Sequence, residues 1–264
     1  MKCAGFTLIE LLVVIAVIAL LIAISVPSLQ NSRQHAKAVL CSSNISQLLL
    51  GLVMYETEND TLPYAFDDTL LEPPPDGYPG NFAFDRKGWW WFNYISDYSR
   101  KNKGKKAALW CPSRKVKDIQ LKDYVLHGNY GVNQSVCKSS RGRKSHAEFI
   151  GTPLCSSDIP HPSRTLLIVD SGYSLISWWH VADVPPIPLG STIEDTAYLP
   201  ALEINKGKNL WPGQEWDAIS GRHPNKTVNV GFADGHIDRM KADDLFVEKI
   251  AEDYKNKSPL WQPK

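Results

Sequence analysis

The chain has 264 residues, with 29 Lys and Arg against 28 Asp and Glu, giving a formal net charge of +1. A near-neutral chain has no global field to draw it onto nucleic acid, so a general nucleic-acid binder is not expected. Hydrophobic residues make up 43% and charged residues 22%, an ordinary globular balance, and the length holds a short membrane element plus one good-sized domain.

The chain opens MKCAGFTLIELLVVIAVIALLIAISVPS. Residues 6–26 form a continuous apolar run broken by one carboxylate, Glu10. As a helix this run measures about 32 Å, close to a hydrocarbon core of about 30 Å. A removed secretory signal has a shorter apolar core followed by small residues. Here Val26, Pro27 and Ser28 follow instead, so a retained span is the expectation. Only MKCAG precedes it, carrying Lys2 and the initiator amine. A short positive flank stays in the cytoplasm, so the 238 residues after Val26 are expected outside. That makes a single-pass inner-membrane protein with a periplasmic C-terminal part.

Glu10 needs a reason, because a charge near mid-bilayer costs about 2.5–3.5 kcal/mol on insertion scales. Cutting between Gly5 and Phe6 would create a new amine about one helical turn from Glu10. If identical helices pack with a stagger of one turn, the carboxylate of one meets the amine of the next, and each charge is paired. Glu10 then sets the register of assembly.

Gly5-Phe6-Thr7-Leu8-Ile9-Glu10-Leu11 resembles the processing site of type IV prepilins and type II secretion pseudopilins. The resemblance implies that a prepilin peptidase cuts after Gly5 and that the Phe6 amine is methylated. It also implies that Glu10 docks the subunit. Pro27 matches a proline that often loosens the helix in that family. Physically, Pro27 has no N–H for the carbonyl of Ala23 and is expected to kink or locally melt the helix.

Beyond the span, Cys41, Ile45, Leu48, Leu52 and Tyr55 recur at spacings of 4, 3, 4 and 3, one apolar helical face. A single helix over residues 6–58, bent at Pro27, is expected. This divides the chain into a leader (1–5), a membrane and assembly helix (6–27), its amphipathic continuation (28–58) and an exported globular domain (59–264). The fold class is α+β, with the long helix laid on an antiparallel sheet. Residues 64–88, rich in Pro, Gly and Asp, read as loop. Strands are expected at 130–133 and at 165–170, where TLLIVD has a buried-strand pattern.

A hairpin is expected over 227–240. Val228, Val230 and Phe232 alternate with Asn229, Gly231 and Ala233, and Asp234-Gly235 suits a two-residue type I′ turn that would face Phe232 with Ile237. Ten residues intervene between His223 and Asp234-Gly235. They are similar to a C-terminal signature of pilin-like proteins from planctomycete-type bacteria, whose pattern has nine intervening. Cys41-Ser42-Ser43-Asn44, Trp110-Cys111-Pro112-Ser113, Tyr130-Gly131-Val132-Asn133 and Pro162-Ser163-Arg164-Thr165 also resemble that group.

Four cysteines lie beyond the leader, and four allow three connectivities. With Cys41 on the long helix, a disulfide among Cys111, Cys137 and Cys155 is the favoured pairing. None of the cysteines has CxxC spacing, so no zinc site is expected. His223, Asp234, His236 and Asp238 read mainly as turn and hairpin residues; Asp234 and Asp238 are the candidates for a Ca²⁺ ion, and otherwise no cofactor is expected. Asp170-Ser171-Gly172 with His180 or His223 lacks a G-x-S-x-G elbow, and no P-loop or dinucleotide fingerprint is present. The chain is therefore not expected to be an enzyme.

The leading reading is a structural pilin-like subunit whose partners are a prepilin peptidase and other subunits in a filament, in the membrane or outside the cell. The rival is a membrane-anchored surface module that captures a polysaccharide or other polymer. Its platform would be Trp89, Trp90, Trp91, Trp178 and Trp179, which could equally fill a core. Basic runs at 100–106 and 138–144 read as solvated loops.

Overall fold

The computed structural model describes residues 7–70, 88–96, 107–117, 125–140, 147–184 and 197–263. The basic run at 100–106 and most of that at 138–144 lie outside these, as do Gly5 and Phe6.

One helix, α1 (Leu8–Asn59), occupies 52 residues. Thr7 caps its start, its hydroxyl accepting from Glu10 N at 3.3 Å. The helix continues unbroken through Pro27, so the expected local melting is absent and only the bond to Ala23 is lost. It ends one residue beyond the sequence expectation. Asp60 takes a left-handed conformation (φ 60°), and its N–H donates to Glu56 O at 2.8 Å.

The first half of α1 packs against no other element among the described residues. Its large apolar residues from Leu8 to Val26 are 44–79% exposed. The second half buries Ala38, Cys41, Ile45, Leu48, Leu49 and Leu52. Full burial of Ile45 and the three leucines contributes about 6–12 kcal/mol in gross apolar transfer, an upper bound because the unfolded chain is itself partly compact.

That face lies on a five-stranded sheet ordered β5-β3-β4-β6-β7, formed by β3 (Tyr130–Asn133), β4 (Leu166–Asp170), β5 (Leu175–Ile176), β6 (Thr227–Phe232) and β7 (Ile237–Lys241). All neighbours are antiparallel except β3 and β5. That parallel pair left no trace in the sequence, because β5 is only two residues long. Smaller pairs are β1 (Phe66–Asp67) with β2 (Trp89–Trp90), and β8 (Lys249–Ile250) with β9 (Asp253–Tyr254). Two short helices, α2 (Trp91–Tyr94) and α3 (Glu215–Ser220), complete the head.

The sheet is covered on both faces, which is why β4 and most of β6 are buried throughout. Val228, Val230 and Phe232 face away from α1, into a cluster with Leu166, Val169, Trp178, Leu245 and Trp261. Between them, Asn229 and Gly231 face the helix. A Cβ on Gly231 would stand 2.6 Å from Leu49 Cδ1 and 2.8 Å from Ile168 Cγ2, so the helix approaches the sheet this closely only because the residue is glycine.

The hairpin is present, with a different turn. Gly231, not Phe232, pairs with Ile237. Gly235 N donates to Phe232 O, Phe232 N donates to His236 O, and only Gly235 (φ 90°) has positive φ in the turn. This is a three-residue type I turn closed by a glycine bulge, since a type I′ turn needs positive φ at both central positions. Phe232 stacks on the His236 ring at 4.2 Å instead.

Gly231→Ala is expected to destabilise the detergent-solubilised chain by about 1–3 kcal/mol through overpacking. With Leu49→Ala added, which removes the clashing methyl, the double variant should lose less stability than the sum of the two single losses. Denaturant unfolding of both single variants and the double variant measures the coupling.

Candidate functional site

Two places carry chemistry that packing alone does not explain. The first is the helix start. Thr7 N and Thr7 Oγ1 both donate to Glu10 Oε2 at 2.8 Å. Glu10 thus closes a reciprocal capping box on its own helix. Its other oxygen, Oε1, has no hydrogen-bond partner among the described residues. Around it stands the apolar stretch of α1, long and apolar enough to cross a membrane and wholly outside the core.

Residues 1–26 match the prokaryotic N-terminal methylation motif. This segment is a prepilin-type N-terminal motif. Among curated proteins, the chain is similar to the Type IV wide pilus major component PilA4 of Thermus thermophilus, 39% identical over 57 residues. That match covers 22% of this chain and 44% of that protein. It is also similar to Competence protein ComGC of Halalkalibacterium halodurans, 31% identical over 64 residues, covering 24% of this chain and 63% of that protein. The matched stretches span less than two thirds of either relative. No solved structure matches the chain significantly. With the motif in place, the α+β layout of a long N-terminal helix on a sheet is as expected from the sequence.

The second place is buried beneath α1. Cys41 Sγ lies 3.2 Å from Cys111 Sγ, 3.2 Å from Tyr130 Oη and 3.1 Å from Asp170 Oδ1. Asp170 Oδ2 accepts from Asn229 N at 2.7 Å and from Asn229 Nδ2 at 3.2 Å, and it lies 3.1 Å from His223 Nε2. Burial alone would raise the Asp170 carboxyl, but the His223 and Arg222 charges and the Asn229 N–H hold it below the usual range. Burial also disfavours a charged His223, yet the adjacent Asp170 raises it to about 9. Burial pushes the Cys41 thiol up. For Cys111, hydrogen bonds from Cys41 and His223 outweigh burial and bring it down to about 6.

Behind Asp170 sits Arg222, whose side chain is fully buried. Its Nε and Nη2 meet the Asp217 carboxylate at 2.8–2.9 Å. Nη1 and Nη2 donate to the carbonyls of Asn129 and Ser171 at 2.6 Å. The guanidinium therefore ties α3 to the loops before β3 and after β4.

The structure corrects several sequence expectations. All four described cysteines are unbridged. Cys111 stands beside Cys41 rather than near Cys137 or Cys155, because the helix face carrying Cys41 is the buried one. Cys137 is buried among apolar residues, and Cys155 Sγ donates to Glu56 Oε1 at 3.1 Å. Trp90, Trp91 and Trp178 are 1–2% exposed and fill the core. Trp91 and Trp178 donate their indole N–H groups to Ser174 O and Glu148 Oε1, and Trp89 and Trp179 are half-buried against Tyr94 and Phe149. This is no ring platform. Asp234 is held by His236 within the turn, and Asp238 accepts from the N–H of Arg239 on the edge strand. Neither belongs to a group of potential ligands among the described residues. His223 belongs with Asp170, not with Asp234.

Arg222→Met should destabilise the chain by about 3–5 kcal/mol, because it strands a buried Asp217 carboxylate. Arg222→Lys should recover little, since a point charge cannot replace the forked donor set. Pairing Arg222→Met with Asp217→Leu should lose less than Arg222→Met alone. Chemical denaturation of the purified chain checks the ordering.

Proposed function

We propose that the chain is a structural pilin-like subunit. The leader 1–5 is removed by a prepilin peptidase, the Phe6 amine is methylated, and residues 6–27 hold the subunit in the inner membrane until it enters a filament. The head, from residue 59, lies on the far side of the membrane. One observation carries this reading: a methylation motif opens a helix half that is fully exposed, apolar and marked by a single carboxylate. A bare apolar half-helix of this length needs either lipid or other helices around it.

Glu10 supports the assembly step. In the single subunit Thr7 satisfies one of its oxygens, which makes residence near the membrane edge tolerable. The second oxygen is left for a cation, and the Phe6 amine of a neighbour shifted by one turn supplies it. Capping the helix uses only one oxygen of this carboxylate, and a plain anchor has no use for the other. The relatives named above are a pilus component and a competence protein, and both are compatible with a subunit role. Against the polymer-capture alternative stands the burial of Trp90, Trp91 and Trp178, three of its five tryptophans.

The mature protein should begin at Phe6 with a methylated amine, read by mass spectrometry of membrane-extracted protein; a terminus at Met1 would refute the processing step. Glu10→Val should insert at least as well as the parent, while filament yield in shearing assays drops at least tenfold. Normal yield would refute the pairing role.

A further inference from the structure

Nothing in the filament reading uses the four buried side chains beneath α1. Cys41, Cys111, Asp170 and His223 each place one potential ligand atom within 4.8 Å of all the others, and all four are buried. We propose that this cluster is a structural zinc site in which the two thiolates, the imidazole and the carboxylate bind one metal ion that fastens the long helix to the sheet.

The donor set comes first. Two sulfurs, one imidazole nitrogen and one carboxylate oxygen make a four-ligand set of the kind zinc takes in closed tetrahedral sites. Calcium takes six to eight oxygens, and one carboxylate does not provide them. Zinc–ligand bonds of about 2.0–2.3 Å imply tetrahedral edges of about 3.3–3.8 Å. The separations here, from 3.1 Å up to the 4.8 Å limit, bracket that range.

The crowding of polar atoms comes second. Cys41 Sγ has three polar neighbours within 3.2 Å, namely Cys111 Sγ, Tyr130 Oη and Asp170 Oδ1. His223 Nδ1 is buried with no hydrogen-bond partner among the described residues, an arrangement that costs free energy if nothing else meets it. A cation among these groups relieves the crowding. Its binding requires both sulfurs as thiolates and the imidazole neutral, so the protons these groups still carry pass to solvent, with no oxidation.

The surroundings hold the ligands in place. Asn229 fixes Asp170 through a backbone and a side-chain bond. Tyr130 Oη touches Cys41 Sγ and accepts from Asn44 Nδ2 at 3.2 Å. Cys111 N donates to Asn129 Oδ1 at 3.0 Å. Such outer partners orient ligands and are a regular part of metal sites. The rival is a Cys41–Cys111 disulfide, but the sulfurs lie 3.2 Å apart, well beyond the bonded length of about 2.05 Å.

The test uses the full chain, produced in zinc-replete medium and purified in detergent. Elemental analysis should find one zinc per chain, and replacement by Co²⁺ should give the visible bands of a tetrahedral thiolate site. Cys111→Ser and His223→Ala should each lose the metal, while Cys137→Ser keeps it. Because those variants can misfold, the parent chain carries a second readout. Cys41 and Cys111 should resist alkylation until a chelator is added, whereas Cys155 reacts throughout. The proposal falls if the parent chain holds no zinc, if it fills with copper and refuses zinc, or if alkylation ignores the chelator. It falls equally if peptide mapping finds Cys41 and Cys111 joined by a disulfide.

Discussion

A carboxylate with no exposure to water stands at the centre of this molecule. Asp170 ends β4 on the face that meets α1, where an ion without partners would cost several kcal/mol. The head is arranged so that this does not happen. Asn229 reaches it from β6, His223 from the loop before β6, Cys41 from the helix, and Arg222 stands 3.9 Å away. These groups come from the helix, from β6 and from residues 222–223 just before it, so satisfying one charge fixes the helix, two strands and a loop against each other. Apolar packing by Ile45, Leu48 and Leu52 supplies most of the free energy, but it is non-directional. The polar groups determine which turn of α1 sits over which strand.

Much of the fold could be read from the sequence because its signals are local. The apolar recurrence from Cys41 to Tyr55 marked the face that is buried, and TLLIVD marked a strand covered on both sides. The Asp234-Gly235 pair marked a reversal, although Asp234 does not take the positive φ of a type I′ turn, so the loop takes in Ala233 and Gly231 rather than Phe232 pairs with Ile237. The prepilin motif was legible for the same reason, since seven consecutive residues carry it.

The buried cluster was not legible, because its members are brought together only by tertiary structure. Cys41 and Cys111 are 70 positions apart, Cys41 and Asp170 are 129 apart, and Asp170 and His223 are 53 apart. No spacing rule reaches that far. A usable signal did exist: Cys41-Ser42-Ser43-Asn44, Trp110-Cys111, Tyr130 and His223 all lie in stretches that resemble one group of proteins, and all four meet here. The tryptophans failed for the opposite reason. Composition showed that they were numerous, and only packing could show that Trp90, Trp91 and Trp178 face inward.

The way α1 is attached has a mechanical consequence. Its contacts with the head run from Ala38 to Glu56, which accepts from Ser156 Oγ at 2.7 Å, a seam of about 27 Å at 1.5 Å per residue. The free half of the helix leaves this seam along the same axis. A pull on that half therefore loads all the contacts together in shear, whereas a perpendicular pull would peel them away one by one. The head is joined to its stalk in the direction that resists tension best.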